Sequence, residues 1–342
     1  MILPKVSIIT CTYNGERVIR DYFEGIFNQD YPLDKIEVII ADGGSTDSTL
    51  KIIEEFKTKY PKNILFVINE KRYKVGRGKG VDLASKYVKG EIIILIDQDN
   101  LLIQKNWISN AVNILMRNKN ISAVQSRLKS PSNSKIVDKY LNSTGIEDPF
   151  VFNYSLNSQI TFYPNKFKFD SNLGVYLYNV NRKRFYYGGD NGFLIWKNIF
   201  FETGGYTQDI DNFYRMALSR KKYTIAVPKN MFLYHKSSTT LKDLLSKKTF
   251  YVKHYLLENY DERDFFWFDI HKNSFNQNLK FIYSVVYNLS FIPGFFKGIQ
   301  MSLKKRNNFW MIHSFLLWLI TFYYIKSFFH VLIFKKQTES KI

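Results

Sequence analysis

Along the first 130 residues, short apolar runs alternate with longer stretches whose apolar positions recur every three or four residues. Val6-Ser7-Ile8-Ile9-Thr10 reads as a strand. Gly15 to Asn28 follows as a helix, with Val18, Ile19, Phe23, Ile26 and Phe27 on one face and Pro32 behind it. Ile36 to Ala41 is a second strand. Ser45 to Tyr60 is a second helix, with Ser45 as its N-cap and Pro61 as its stop. Then come a strand at Ile64 to Ile68, a helix at Gly80 to Val88 and a strand at Glu91 to Ile96. A helix near Lys105 to Arg117 and a strand at Ile121 to Ser126 complete the series. This alternation predicts an α/β fold, with a mostly parallel central sheet flanked by helices. Ile92-Ile93-Ile94-Leu95-Ile96 has no polar member, as expected of a central strand covered on both faces.

The rhythm then changes. Residues 130–185 are rich in Asn, Ser and Tyr, with weak periodicity, and read as a long, partly irregular insertion over a binding site. Strand signals return at Gly192 to Trp196, Tyr223 to Val227 and Met231 to Tyr234, and from Thr240 onward the pattern is helical. Residues 279–334 form a separate apolar unit, broken at Pro293-Gly294. Phe309 to Phe334 is almost wholly apolar and long enough to span a bilayer. Lys304, Lys305 and Arg306 flank one end, Lys335 and Lys336 the other, so the charges give no orientation. An interfacial helix pair or re-entrant hairpin against anionic lipid fits equally, and a buried helix of a soluble core is the third reading.

Charge sharpens this picture. Lys and Arg outnumber Asp and Glu by 49 to 30, a net charge of +19. Such an excess points to a polyanionic neighbour: nucleic acid, anionic lipid or a phosphorylated substrate. No nucleic-acid motif accompanies it, so nucleic acid is not expected. Cys11 is the one cysteine, which fits a reducing compartment and a small core residue at a strand end. Met1-Ile2-Leu3-Pro4-Lys5 leads directly into a strand, and no signal peptide is expected.

Candidate chemistry gathers where the strands end. In open α/β sheets ligands bind at the carboxyl ends of the strands. Thr10-Cys11-Thr12-Tyr13-Asn14-Gly15 follows the first strand, and Asp42-Gly43-Gly44-Ser45-Thr46-Asp47 the second. Asp97-Gln98-Asp99 ends the buried fourth strand. Two carboxylates there repel each other unless a cation joins them, and a hard divalent ion bridged to phosphate needs only one or two carboxylates. Asp42 faces the same edge, while Asp47 reads as a helix-capping acid. Tyr73-Lys74-Val75-Gly76-Arg77-Gly78-Lys79-Gly80 interleaves glycines with cations and reads as a phosphate cradle. It lacks the P-loop spacing.

These segments, in this order, resemble the family 2 glycosyltransferases of the GT-A fold. Val-Ser-Ile-Ile-Thr-Cys-Thr-Tyr-Asn, Asp-Gly-Gly-Ser-Thr-Asp-Ser-Thr, and Lys-Gly-Glu ahead of Ile-Asp-Gln-Asp carry the likeness, which covers roughly residues 5–240. The resemblance implies an inverting glycosyltransferase using a nucleotide-diphospho-sugar donor and Mn2+ or Mg2+. It assigns Asp42 to the nucleobase, Asp97 to the ribose and metal, and Asp99 to the metal on the diphosphate. Thr10, Tyr13, Asn14, Arg77 and Lys79 fall in donor-binding segments, and His235 often completes the metal site. Gly188-Gly189-Asp190-Asn191-Gly192-Phe193 matches the acceptor side, through Gly189, Asp190 and Asn191. Gln208-Asp209-Ile210-Asp211 stands where the family has Glu-Asp, so Asp209 is the implied general base and Asp211 its competitor. The Gln-x-x-Arg-Trp pattern of processive synthases is absent at Lys247-Lys248-Thr249-Phe250-Tyr251.

The implied organisation is a catalytic domain at 1–240, with a nucleotide-sugar half at 1–129 and an acceptor half at 130–240. A helical connector at 241–278 and membrane-associated helices at 279–342 follow. A lipid-linked or surface-polysaccharide acceptor, at the cytoplasmic face of an anionic membrane, suits this layout. The competing readings are a nucleotide-sugar-binding membrane protein impaired at Gln208-Asp209, and a sugar-1-phosphate nucleotidyltransferase. The latter needs a Gly-x-Gly-Thr-Arg type loop that the first strand does not carry.

Overall fold

A computed structural model describes residues 2–68, 72–157, 159–181, 186–189, 191–206, 212–236, 240–253 and 274–339. The chain forms two compact units. The first is Met1–Ser132 with Asn157–Ser237; the second is Asn133–Leu156 with Ser238–Ile342.

The first unit is built on β1 (Val6–Thr12), β2 (Ile36–Asp42), β3 (Ile64–Ile68) and β4 (Ile92–Leu95). They lie parallel, as expected, in the order β3-β2-β1-β4. β2 and β4 are buried throughout, which explains why their sequences show no polar alternation. Helices α1 (Ile19–Phe27) and α2 (Thr49–Lys59) bury Phe23 and Phe56, whose rings stack at 4.7 Å. Beyond β4 the sheet becomes mixed. β10 (Phe193–Trp196) runs antiparallel to β4 and to β6 (Ala123–Gln125). β11 (Thr224–Pro228), β9 (Val175–Asn179) and β8 (Lys168–Asp170) extend it to nine strands among the described residues. A small second sheet joins β5 (Asn100–Leu101), β12 (Phe232–His235) and β7 (Arg127–Lys129).

Helix α3 (Arg72–Ser85) starts eight residues before the expected Gly80, and so takes in the glycine-cation segment. The expectation of a free cradle is corrected: within a helix, amide hydrogens are directed to carbonyls four residues back. Gly78 and Gly80 are buried there with Val81 and Ala84, so packing against β1 and β2 overrides the poor helix propensity of glycine. α4 (Trp107–Arg117) matches expectation, burying Trp107, Ile108, Ala111, Val112 and Leu115. The shorter helices α7 (Gln159–Phe162), α8 (Lys197–Glu202) and α9 (Asn212–Leu218) belong to the same unit.

The stretch 130–185 is not one irregular insertion. Its second part supplies β9 and the edge strand β8; along β9 the burial runs buried at Val175 and Tyr178, partial at Tyr176 and Leu177 and exposed at Asn179, which is no clean alternation. Its first part forms α5 (Ile136–Thr144) and α6 (Pro149–Asn153) of the second unit. There they join α10 (Leu241–Tyr251), α11 (Phe275–Leu289), α12 (Ile292–Lys305) and α13 (His313–Glu339). Tyr140, Phe150, Leu245, Trp310, Leu317 and Tyr324 make its core.

The break between α11 and α12 falls at Phe291, at φ 62°, and the two helices meet at 75°. Pro293 does not break the chain, because it occupies the first turn of α12, where its missing N–H is not needed. α12 lies close to the 3₁₀ turn at Asn308–Ile312: a Cβ on Gly298 would stand 2.7 Å from the Trp310 carbonyl oxygen. Asn308–His330 is long and apolar enough to cross a membrane, yet Trp310, Leu316, Leu317, Ile320 and Tyr324 within it are buried inside the protein. It carries polar partners: the Tyr140 hydroxyl lies 2.6 Å from His313 Nδ1, and Tyr324 donates to Asp148, the cap of α6.

Candidate active site

The register of β1 against β2 sets Thr12 beside Asp42, and that of β1 against β4 sets Ile9 beside Leu95. The three loops after these strands therefore meet at one edge, and short side chains stitch them together. Asp42 is 2% exposed, and its carboxylate accepts four bonds. Gly44 N and Ser45 N donate to Oδ1 at 2.8 Å; the Thr12 and Ser45 hydroxyls donate to Oδ2 at 2.8 and 2.6 Å. Asp42 thus shapes the Gly43–Ser45 turn from beneath. Ser45 does not cap α2 as expected; its Oγ instead accepts from Asn14 N at 2.9 Å. Asn14 Oδ1 in turn accepts from Thr46 N at 2.9 Å. Asp47 takes the capping role: it accepts from Thr49 N and its hydroxyl, and from Glu16 N. Burial raises the Asp47 pKa, but these bonds outweigh it and hold the carboxyl below its ordinary value.

Thr10 lies deeper than a donor-contacting residue would. It is 1% exposed, donates to the Ile96 carbonyl at 2.7 Å and bonds the Tyr22 hydroxyl. Its position inside β1 points the hydroxyl into the core, so it supports the site without facing it. Burial, assisted by the Asp97 charge against the opposing Thr10 bond, raises the Tyr22 pKa and keeps that phenol neutral.

The middle residue of Asp97-Gln98-Asp99 was silent in the sequence and is structurally decisive. Gln98 pairs with the Tyr13 backbone in both directions, accepting from N at 3.3 Å and donating to O at 3.1 Å. A Cβ on Gly15 would stand 2.1 Å from Gln98 Oε1, so only glycine admits this amide.

On the other side, β12 pairs with β5 and brings His235 opposite Asn100. His235 Nε2 then lies 3.3 Å from Asp99 Oδ2. Asn100 is fully buried and donates to Asp99 Oδ1 at 2.9 Å and to Asn191 Oδ1 at 3.1 Å. Asn191 Oδ1 also accepts from Asp97 N at 3.1 Å, so Asn191 braces the Asp97–Asp99 turn. Gln125 fixes the same segment, accepting from Gly189 N at 3.0 Å and donating to Asn191 O at 2.8 Å. Gln98, Asn100 and Gln125 escaped the sequence reading. A lone amide at the end of an apolar strand was the available signal.

Among the described residues, no three His, Cys, Asp or Glu side chains come together as a metal cage. The Asp99–His235 pair nevertheless suits Mn2+ or Mg2+. Such ions take one or two protein ligands and fill the rest with phosphate oxygens and water. Asp190, Gln208, Asp209 and Asp211 lie outside the described residues, as does the side chain of Arg77. Lys79 is exposed on α3.

Residues 7–178, half of the chain, match the family model Glycosyl transferase family 2. The chain belongs to that family. Over 100 residues it is 34% identical to the poly(ribitol-phosphate) beta-N-acetylglucosaminyltransferase TarS of Staphylococcus aureus, covering 29% of this chain and 17% of that one. Over 71 residues it is 46% identical to a dolichyl N-acetyl-alpha-D-glucosaminyl phosphate 3-beta-D-2,3-diacetamido-2,3-dideoxy-beta-D-glucuronosyltransferase of Methanococcus voltae, covering 20% and 22%. The matched part thus spans under a quarter of the length of each of these relatives. The fold is of the GT-A type. The mannosyltransferase PcManGT of Pyrobaculum calidifontis, solved with GDP-Man and Mn2+, superposes with a TM-score of 0.56, covering 96% and 88% of the two chains at 15% identity.

Proposed function

We propose that this chain moves a sugar from a nucleotide-diphospho-sugar to a hydroxyl of a lipid-linked or surface-polymer acceptor, with inversion at the anomeric carbon. The observation that carries this reading is the Asp99–His235 contact, set where the loops after β1, β2 and β4 are stitched together. Asp97, Asp99 and His235 hold the diphosphate end of the donor, with Mn2+ or Mg2+ supplying charge neutralisation for the leaving nucleoside diphosphate. The Asp42-shaped turn, with Tyr13 and Asn14, receives the nucleoside, and Arg77 and Lys79 attract the phosphates. The acceptor approaches along Gly189, Asp190 and Asn191. Asp209 takes the hydroxyl proton as that oxygen bonds to the anomeric carbon and the bond to the diphosphate oxygen breaks.

The relatives named above act, by their names, on a ribitol-phosphate polymer and on a dolichyl-linked sugar, and both acceptor classes suit a net charge of +19. We assign the second unit to the cytoplasmic surface of an anionic membrane. Ile282, Tyr283 and Val286 of α11 and Ile292, Phe295 and Phe296 of α12 are all exposed, and α12 also carries Lys297, Lys304 and Lys305, with Arg306 as its C-cap.

A thermal-shift screen of nucleotide-sugars with and without Mn2+ tests the donor site. Asp99→Ala is expected to abolish the metal-dependent part of the shift; an unchanged shift would overturn the assignment. Asp209→Asn is expected to keep donor binding and lose transfer. If Asp211→Asn alone does so, the base is Asp211.

A further inference from the structure

The small sheet carries a cationic and aromatic surface that the donor site does not use. Side chains alternate along a strand, so Arg127 and Lys129 of β7 share one face, while Leu128 between them packs on the core. In register, Arg127 lies beside Phe232 of β12 and Lys129 beside Tyr234. The Arg127 guanidinium sits 5.1 Å from the Phe232 ring centre and Lys129 Nζ 3.7 Å from it. Lys229, at the turn before β12, reaches over Phe169 at 5.9 Å.

Arg127 is the informative member. It is only partly exposed, yet among the described residues its guanidinium donates to neutral acceptors alone, the carbonyls of Thr161 at 3.3 Å and Lys229 at 3.5 Å. Among the described residues, Arg127, Lys129 and Lys229 form no ion pair with a carboxylate. Burial accordingly pulls the Arg127 pKa below its ordinary value. Holding a cation out of water without an anion is costly, and a guanidinium has further N–H groups suited to a phosphate.

His235, the next residue of β12 after Tyr234, touches Asp99 and by the same alternation belongs to the opposite face. We propose that the cationic face of β7 and β12 binds the phosphodiesters of a polyol-phosphate acceptor chain. The inference rests on the reading of a polymer acceptor given above. A bilayer is the poorer occupant, because the protruding apolar residues it would bury lie on α11 and α12.

The test is direct binding of a short ribitol-phosphate oligomer to the full chain without donor, beside an uncharged glycan oligomer of similar length. Arg127→Gln with Lys129→Gln is expected to weaken oligomer binding at least about tenfold and to flatten its salt dependence. Nucleotide-sugar binding is expected to stay unchanged. Lys129 is exposed, so Lys129→Gln alone leaves the fold intact and should weaken binding about two- to threefold. Arg127→Lys should retain most of it. Equal oligomer binding by wild type and double variant overturns the proposal, as does equal binding of the uncharged oligomer by wild type. A double variant that loses anionic vesicles but keeps the oligomer overturns it in favour of lipid. Wild type that binds the oligomer but transfers no sugar to it leaves this surface standing and removes the polyol-phosphate from the acceptor reading.

Discussion

At the scale of the residue, the site is organised by amides and hydroxyls around a few carboxylates. Gln98 fastens the Asp97–Asp99 turn to Tyr13, and Gly15 leaves room for it. Gly15→Ala is therefore expected to expel the Gln98 amide and break both bonds. A stability loss of about 1–2 kcal/mol should follow, with a weaker donor complex. Chemical denaturation and a donor titration check this, and a variant normal in both would show that the amide does not hold the turn. Asp97, Asp99 and Asp42 were legible in the sequence because acids at strand ends stand out against apolar runs. Their supports were not, since Gln98, Asn100 and Gln125 also bond residues 85, 91 and 66 positions away, which no local pattern shows.

At the scale of the element, the buried parallel strands were readable because continuous Ile and Val runs have few other homes. The glycine-cation segment misled because its glycines signal a loop, whereas packing on β1 and β2 makes it helix. One junction between elements has a pH signature. Glu37 on β2 accepts from Ser7 Oγ on β1 and Lys89 N ahead of β4, and pairs with Lys5 at 2.8 Å. Burial raises its pKa, but these contacts together hold it below the ordinary value of 4.5. A depressed carboxylate stabilises the fold at neutral pH, and that contribution is lost as pH falls through the lowered value. Unfolding free energy measured from pH 7 downward should thus fall more steeply below about pH 4.5 in wild type than in Glu37→Gln. Parallel curves would contradict the role.

At the scale of the whole molecule, the second unit draws on two distant parts of the chain, 133–156 and the segment from 238 onward. Removing 279–342 would strip His313 from Tyr140, Tyr324 from Asp148 and the Phe281 ring from Phe150. That truncation is expected to aggregate, and so reports poorly on membrane binding. Ile282→Glu with Phe296→Glu touches only exposed positions, at 56% and 65%. It should leave the thermal unfolding midpoint unchanged while abolishing flotation with anionic vesicles; flotation like wild type would place membrane contact elsewhere. The divided unit also matters while the protein is being made. α5 and α6 leave the ribosome well before α13 exists, on the order of 10 to 30 s at ordinary synthesis rates. Through that interval Tyr140, Leu141 and Phe150 lack the part of their cover that Leu316, Leu317, Ile320 and Tyr324 of α13 supply. Chaperones that hold nascent aromatic surface, and codon choice across the intervening stretch, should therefore govern yield of this protein more than the stability of its finished fold.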